Sequence, residues 1–139
     1  MRKLIPVFGL LMAIAFSPQL IAQEAEQVTY YHVQEYMKVE PGGEESYLKL
    51  EAIWKKIHAA NIKAGKYVGW ELSSVLFPTV SSSEYNFVTR TVFRGAGQLG
   101  QSMENWSMPE NLDKILTADE LEMVNTTEAY RTMVKREVW

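Results

Sequence analysis

The sequence contains two histidines, His32 and His58, and no cysteine. Without thiols there can be no disulfide framework, no cysteine-ligated zinc site and no thiol nucleophile. The histidines could hold a metal ion together with Glu35, Glu51 or Glu71. No His-x-His or His-x-x-x-His spacing assembles such a site, so we expect no metal and interpret each histidine as hydrogen-bonded and half-buried.

One face of a predicted strand, Val28 to Val39, is polar. The opposite parity of that strand is apolar, and polar groups that converge on an apolar cavity are typical of ligand pockets. The alternative is a satisfied polar network that fixes the register of a dimer, and both interpretations remain open. We predict a ligand site that comprises the polar parity with His58 and Arg90 nearby, namely Tyr30, His32, Gln34, Tyr36, His58 and Arg90.

Other polar residues stand where apolar ones are expected. Arg90 lies within a predicted strand, where it must reach water, bind an anionic ligand or form a salt bridge to Glu71. Asn61 lies on the apolar stripe of a predicted helix, and a buried amide there either ties down a loop or points into a pocket. We interpret Trp54 and Trp70 as core residues rather than ligand platforms.

The segment Gly95 to Gly100 matches the dinucleotide fingerprint G-x-G-x-x-G. The acids about 20 residues later, Asp119 and Glu120, lie in a capping box rather than at a strand end. Too few strands follow for a parallel nucleotide-binding half. We therefore expect a flexible turn between a strand and a helix, and no G-x-S-x-G or H-E-x-x-H motif suggests a hydrolase.

The composition indicates one globular domain that does not bind nucleic acid. The 139 residues are 47% hydrophobic and 22% charged, and the formal net charge is −3. A nucleic-acid partner usually requires a basic face.

Residues 1–22 have the layout of a secretory signal peptide. Arg2 and Lys3 precede a short apolar stretch, and Ala22 supplies the small residue at the cleavage position. The stretch is too short to span a bilayer. We predict a periplasmic or secreted protein whose mature chain, residues 23–139, forms one domain with no membrane span.

The mature chain reads as β-α-β-β-α-β. Such an order predicts an α+β, ferredoxin-like split βαβ fold with helices on one face of an antiparallel sheet. The second helical region breaks near Pro109. The predicted strands are Val28 to Val39, Tyr67 to Phe77, Tyr85 to Phe93 and Thr132 to Trp139, and the helices run from Glu44 to about Gly65, near Leu99 to Trp106 and from Thr117 to about Glu128.

The helices can cover only one sheet face, yet both parities of the strands carry large side chains. An uncovered aromatic face of this size usually meets a partner. Two such sheets that pack face to face would form a barrel across a homodimer.

The run from His32 to Gly42, HVQEYMKVEPG, followed by Tyr47 and Leu48 on a helix, resembles the opening of NIPSNAP-like proteins. More broadly it is similar to the dimeric α+β barrel superfamily, in which a strand that ends in Val-x-Pro-Gly leads into the first helix. The resemblance implies a homodimeric barrel. The superfamily includes cofactor-free monooxygenases and haem-active enzymes, and by analogy His58 could ligate haem.

The sequence therefore favours an exported, homodimeric barrel protein that binds a small, partly apolar molecule in its interior or in a helix-covered cleft. The alternatives are a cofactor-free monooxygenase or haem-active enzyme on the same barrel, and a structural interaction module. The cofactor is unknown.

We expect exported protein to begin at Gln23. The measurement is the intact mass of protein secreted from a suitable host. A mature mass that retains Arg2 and Lys3 would contradict the predicted cleavage after Ala22.

Overall fold

The computed structural model describes residues 27–76, 84–104 and 108–139. The predicted signal peptide, the loop expected at Pro78 to Ser83, and Trp106 lie outside these ranges. Within them the elements are β1 (Tyr30–Lys38), α1 (Glu44–Lys63), β2 (Gly69–Ser74), β3 (Phe87–Arg94), α2 (Gly95–Glu104), α3 (Leu112–Ile115), α4 (Ala118–Asn125), a 3₁₀ turn (Thr127–Ala129) and β4 (Thr132–Val138).

The four strands form one antiparallel sheet in the order β2-β3-β1-β4. The two strands that flank α1 in sequence, β1 and β2, are separated in space by β3. This is the split βαβ arrangement, so the predicted α+β, ferredoxin-like fold is confirmed. The register places Gln34 opposite Arg90 and Glu35 opposite Thr89.

One face of the sheet is covered by the helices. Met37 on β1, Phe87 on β3 and Tyr47 on α1 pack together, while Val33 and Phe93 pack with Tyr67. Because side chains alternate along a strand, burying Val33 and Met37 puts the other parity of β1 on the opposite face. We call that opposite, helix-free face the bare face.

The helix α1 packs on the sheet and also against α4. Leu50, Ile53 and Ile57 of α1 form a core with Leu116 and Val124. The predicted capping box at the start of α4 is confirmed: the Thr117 hydroxyl accepts from the backbone of Glu120, whose carboxylate accepts from the backbone of Thr117. α1 ends at Lys63, two residues before the predicted Gly65; Ala64 is the C-cap, and Gly65 follows with a φ of +75° that favours glycine.

The glycine-rich segment is not a flexible turn, because it forms the first part of α2. Gly95 has a φ of +79°, which explains a glycine at the junction with β3. The Gln98 side chain accepts from the backbone N–H of Arg94 and donates to the carbonyl of Gly65, at 2.6 and 2.7 Å. The segment therefore ties α2 to the end of α1.

β2 and α4 are also shorter than predicted, β2 at its start and α4 at its end. The strand expected to begin at Tyr67 starts at Gly69, because Tyr67 turns its ring into the core before the strand begins. The helix expected to reach Glu128 ends at Asn125, where the Thr126 hydroxyl bonds back to the carbonyl of Glu122 at 2.8 Å and the 3₁₀ turn follows.

Candidate functional site

A small cavity lies between α1, the covered face of the sheet and the start of β4. Its volume is about 110 Å³. An engineered apolar cavity of about 150 Å³ can hold benzene, so this space suits a fragment of a few heavy atoms. The lining combines aromatic walls with charged side chains: Glu35, Glu51, Trp54, His58, Trp70, Thr89, Arg131, Met133 and Arg136. We call this space the central cavity.

Glu51 is the most unusual residue of the central cavity, because its carboxyl is only 3% exposed. The Nε atom of Arg131 lies 3.5 Å from Oε1 of Glu51, which is longer than a charge-assisted hydrogen bond. Among the described residues, neither of these two atoms has a hydrogen-bond partner. The Nη1 atom of Arg131 contacts the Met37 sulfur at 2.7 Å, so the guanidinium is held in a long ion pair with the carboxyl by a second contact.

Burial raises the pKa of the Glu51 carboxyl. The facing Arg131 and the nearby Tyr47 hydroxyl lower that pKa, whereas the negative charge of Glu35 adds to the increase. The Tyr47 phenol is itself fully buried, and burial together with Glu51 raises its pKa. The outcome is a carboxyl that keeps its proton to higher pH than an exposed glutamate.

His58 is buried between two tryptophans. Its ring stacks on Trp70, with centroids 4.5 Å apart and an interplanar angle of 12°, and the centroid of Trp54 is 6.0 Å away. The Nδ1 atom lies 2.6 Å from the Tyr67 hydroxyl, which also accepts from the Asn61 side chain at 3.2 Å. Burial lowers the pKa of His58 to about 4, so the imidazole is neutral at pH 7.

The remaining walls are fixed by their own contacts. Glu35 forms an ion pair with Arg136 and lies 3.4 Å from the Thr89 hydroxyl. The indole N–H of Trp54 donates to the Thr127 hydroxyl at 3.2 Å. These contacts fix the positions of the aromatic and charged walls.

The six predicted ligand residues do not converge on one site. Five of them lie on the bare face, whereas His58 lies across the sheet in the central cavity. The five are Tyr30, His32, Gln34, Tyr36 and Arg90. The reason is geometric: His58 is on the buried stripe of α1, which packs on the other parity of β1.

On the bare face most of these polar groups bind one another. The Tyr36 hydroxyl donates to Glu137 at 2.8 Å and lies 3.0 Å from the Gln34 carbonyl. The salt bridge between Arg90 and Glu71, one of the predicted alternatives, is present at 2.6 Å. The network is satisfied in part, because His32 Nδ1 and Arg90 Nε have no hydrogen-bond partner among the described residues.

Sequence reasoning undervalued Glu51 and missed Arg131. A signal for Glu51 was present, because it follows Tyr47 by four residues and precedes Trp54 and His58 at spacings of three and seven. A carboxylate inside an apolar helical stripe must be paired or functional. No local pattern marks Arg131, which reaches the site from the start of β4.

Asn61 takes the first of its two predicted alternatives, whereas the two tryptophans are core residues only in part. The Asn61 amide donates to Tyr67, and its backbone carbonyl accepts from Lys66, so this residue ties down the loop after α1. Trp54 and Trp70 pack against core clusters, as predicted, but both also line the central cavity.

The cavity does not fit haem. A space of about 110 Å³ is far smaller than a porphyrin, and the Nδ1 atom of His58 is engaged by the Tyr67 hydroxyl at 2.6 Å. Within the described ranges, no three His, Asp or Glu side chains cluster closely enough to hold a metal ion. None of the helices in the same ranges is long and apolar enough to cross a membrane.

We expect His58 to make stability depend on pH. The unfolded chain takes up the imidazole proton near pH 6.5, but the folded chain does so only near pH 4. Between these values the unfolded state binds more protons, so acidification from pH 7 to pH 4 destabilises the fold by about 3 kcal/mol through this group.

The measurement compares urea unfolding of wild type and His58→Phe at pH 7 and pH 4. Effects of Glu51 occur in both proteins and largely cancel, so the stability of wild type relative to the variant should fall by the predicted amount. Ile57→Val, a neighbouring core change without a titrating group, should track wild type. Parallel pH profiles of wild type and His58→Phe would show that His58 is not buried in the neutral form.

No protein-family model matches the sequence. Neither does any curated protein. Among solved structures, the chain is similar to the crystal structure of an ethyl tert-butyl ether d (EthD) family protein from Bacillus halodurans, with a TM-score of 0.45 and 10% identity over 79% of this chain and 95% of that one. The EthD protein belongs to the dimeric α+β barrel superfamily, and the narrower resemblance to NIPSNAP-like proteins is not confirmed. A similarity of this degree assigns no activity to the present chain.

Proposed function

We propose that this protein binds a small, partly apolar molecule in the central cavity. The observation that carries the proposal is the buried Glu51 carboxyl, whose Oε1 atom has no hydrogen-bond partner among the described residues. A buried polar atom without a partner costs about 1–3 kcal/mol. A ligand that enters from the cavity and completes this bonding would recover that cost.

A purely structural explanation of the same residues is weaker. Replacing a buried ion pair by well-packed apolar residues is often neutral or stabilising, so stability alone does not favour Glu51 and Arg131 here. The aromatic rings of Trp54 and Trp70 supply flat apolar walls beside the charged pair. Apolar walls with a few placed polar groups are the usual composition of a small-molecule site.

A cofactor-free enzyme is the second candidate. Glu51 and His58 line the same cavity, and burial raises the pKa of the acid and lowers that of the base to about 4, so burial favours the neutral form of each group. Two such groups could move a proton to and from one bound molecule. Catalysis would then depend on ligand binding at the same place.

We further propose that the protein is exported and forms a homodimer through the bare face. Tyr30 and Trp139 are 51% and 67% exposed there, and the backbone of Trp139 pairs with His32 as an extension of β4. Large exposed aromatic side chains beside partly paired polar groups are typical of interfaces. The bare-face polar residues, including the predicted ligand residues, would fix the register of the two sheets.

Binding is tested with small neutral probes such as phenol, indole and hexan-1-ol. We expect at least one to quench or shift tryptophan fluorescence saturably, since Trp54 and Trp70 line the cavity. Glu51→Gln should weaken that binding by about tenfold, because a buried charged hydrogen bond is worth about 1.5–3 kcal/mol. Glu45→Gln, an exposed carboxylate on the same helix, is the matched control and should bind as wild type does.

Two results would contradict the binding proposal. One is that no probe binds. The other is that Glu51→Gln binds every probe as tightly as wild type while the protein stays folded. A dimer without any probe binding would favour the structural interaction module.

The dimer is tested by light scattering at micromolar concentration, where we expect twice the chain mass. His32→Leu and Arg90→Leu should weaken the dimer, because each removes a polar group that would set the register. Lys49→Leu, an exposed position on α1, should leave dimerisation unchanged. A monomeric wild type, or dimers unaffected by both bare-face substitutions, would overturn this part of the proposal.

A further inference from the structure

A groove between α1 and β2 adjoins the central cavity. Its volume is about 540 Å³. The side chains that α1 contributes recur at spacings of three, four and seven, so they lie on one stripe of the helix. The apolar members of the lining are Leu48, Ala52, Ala59, Ile62, Trp70 and Leu72.

The groove exists because two of these residues are small. Ala52 and Ala59 are exposed and lie two helical turns apart, about 10 Å along α1, and Lys55 and His58 line the groove between them. Leu48 at one end is 47% exposed. The result is a largely apolar groove along the helix, with one lysine on its outer side.

The groove and the central cavity share three wall residues, Glu51, His58 and Trp70. A molecule that lies in the groove therefore places one end beside the buried Glu51 carboxyl. The cavity alone holds only a few heavy atoms, whereas groove and cavity together suit an elongated molecule.

The polar end of this space favours a group that both donates and accepts a hydrogen bond. The Nε–H of Arg131 is a donor and Oε1 of Glu51 an acceptor, 3.5 Å apart, and neither has a hydrogen-bond partner among the described residues. A hydroxyl group can accept from the first and donate to the second. An ether can only accept, and an alkane can do neither.

The charges around this space favour a neutral ligand. Glu51 faces Arg131, and Glu35 pairs with Arg136, so the cavity walls carry equal numbers of both signs. At the rim of the groove, the charge of Glu71 is compensated by its salt bridge to Arg90, and Lys55 is positive. At Glu51 and Arg131 themselves, neither a carboxylate nor an ammonium group would find an excess of opposite charge.

We propose that the ligand is an elongated apolar alcohol, with its hydroxyl at Glu51 and Arg131 and its body along the groove between α1 and β2. This inference rests on the proposed function, since it specifies the chemistry of the molecule that the central cavity receives.

The first experiment titrates the full mature chain with butan-1-ol, hexan-1-ol, octan-1-ol and decan-1-ol and follows tryptophan fluorescence. Each methylene that enters the groove should tighten binding by about fourfold, the transfer value for one CH₂ group. Ala59→Phe fills part of the groove at an exposed position. It should abolish the gain beyond hexan-1-ol while leaving butan-1-ol binding intact.

Ala96→Phe is the matched control, because Ala96 is exposed on α2 and lies away from the groove. It should keep the full dependence on chain length. Reversible thermal unfolding of both variants checks that each is folded.

The second experiment compares head groups at constant length. Octan-1-ol should bind about tenfold more tightly than 1-methoxyheptane, and also more tightly than octanoate or octylammonium. Glu51→Gln should reduce the preference for the alcohol over the ether.

The outcomes separate this inference from the proposed function. Binding of butan-1-ol without a gain in the longer alcohols, or equal binding of alcohol and ether, would overturn the elongated alcohol and leave the central cavity as a site. A preference for octanoate or octylammonium would also overturn it. Failure of every probe, including phenol and indole, would overturn both proposals.

Discussion

The ion pair between Glu51 on α1 and Arg131 before β4 joins the first helix to the last strand. The two residues are 80 positions apart in sequence, and their side chains are 3% and 15% exposed. A buried ion pair repays its desolvation only when geometry and additional hydrogen bonds are good. Here the separation of 3.5 Å is long, so the pair positions the two elements at a cost that the surrounding core must offset.

The core offsets that cost on both sides of the pair. Below it, Met37, Val39, Tyr47 and Phe87 form one apolar cluster, and beside it α1 packs against α4 through Leu50, Ile53 and Ile57. Burying one side chain of this kind contributes about 1.5–3 kcal/mol. Because these contacts fix α1 independently, the Glu51 carboxyl remains in place even with its hydrogen bonding incomplete.

The sequence predicted the fold well because its determinants are local. Alternation along β1, the helical stripe from Tyr47 to Asn61, the capping box at Thr117 and the glycine at position 65 each act within a few residues. The order of these elements then leaves few topologies for the sheet.

The site was predicted less well because it depends on distant residues. The alternation of residues along β1 identified its polar face correctly. Whether the polar groups on that face bind a ligand or bind one another depends on distant partners such as Glu137, which lies 101 residues from Tyr36. His58 was grouped with that face because periodicity alone does not say which side of the sheet a helix covers. Arg131 carries no local signal, and its role follows only from the turn that returns the chain to β4.

The sheet thus separates two kinds of polar chemistry. On the bare face, Tyr36 pairs with Glu137 and Arg90 with Glu71, while His32 Nδ1 and Arg90 Nε have no hydrogen-bond partner among the described residues. On the covered face, apolar packing holds Glu51 and Arg131 in place, and one acceptor atom of Glu51 and one donor atom of Arg131 have no hydrogen-bond partner among the described residues. Polar groups that pair with one another make a surface with a defined shape. A buried donor and acceptor without partners instead leave room for a group that could bond to both. Because α1 covers the second kind and leaves the first exposed, this helix decides which polar groups lie inside the fold and which lie on the open face of the sheet.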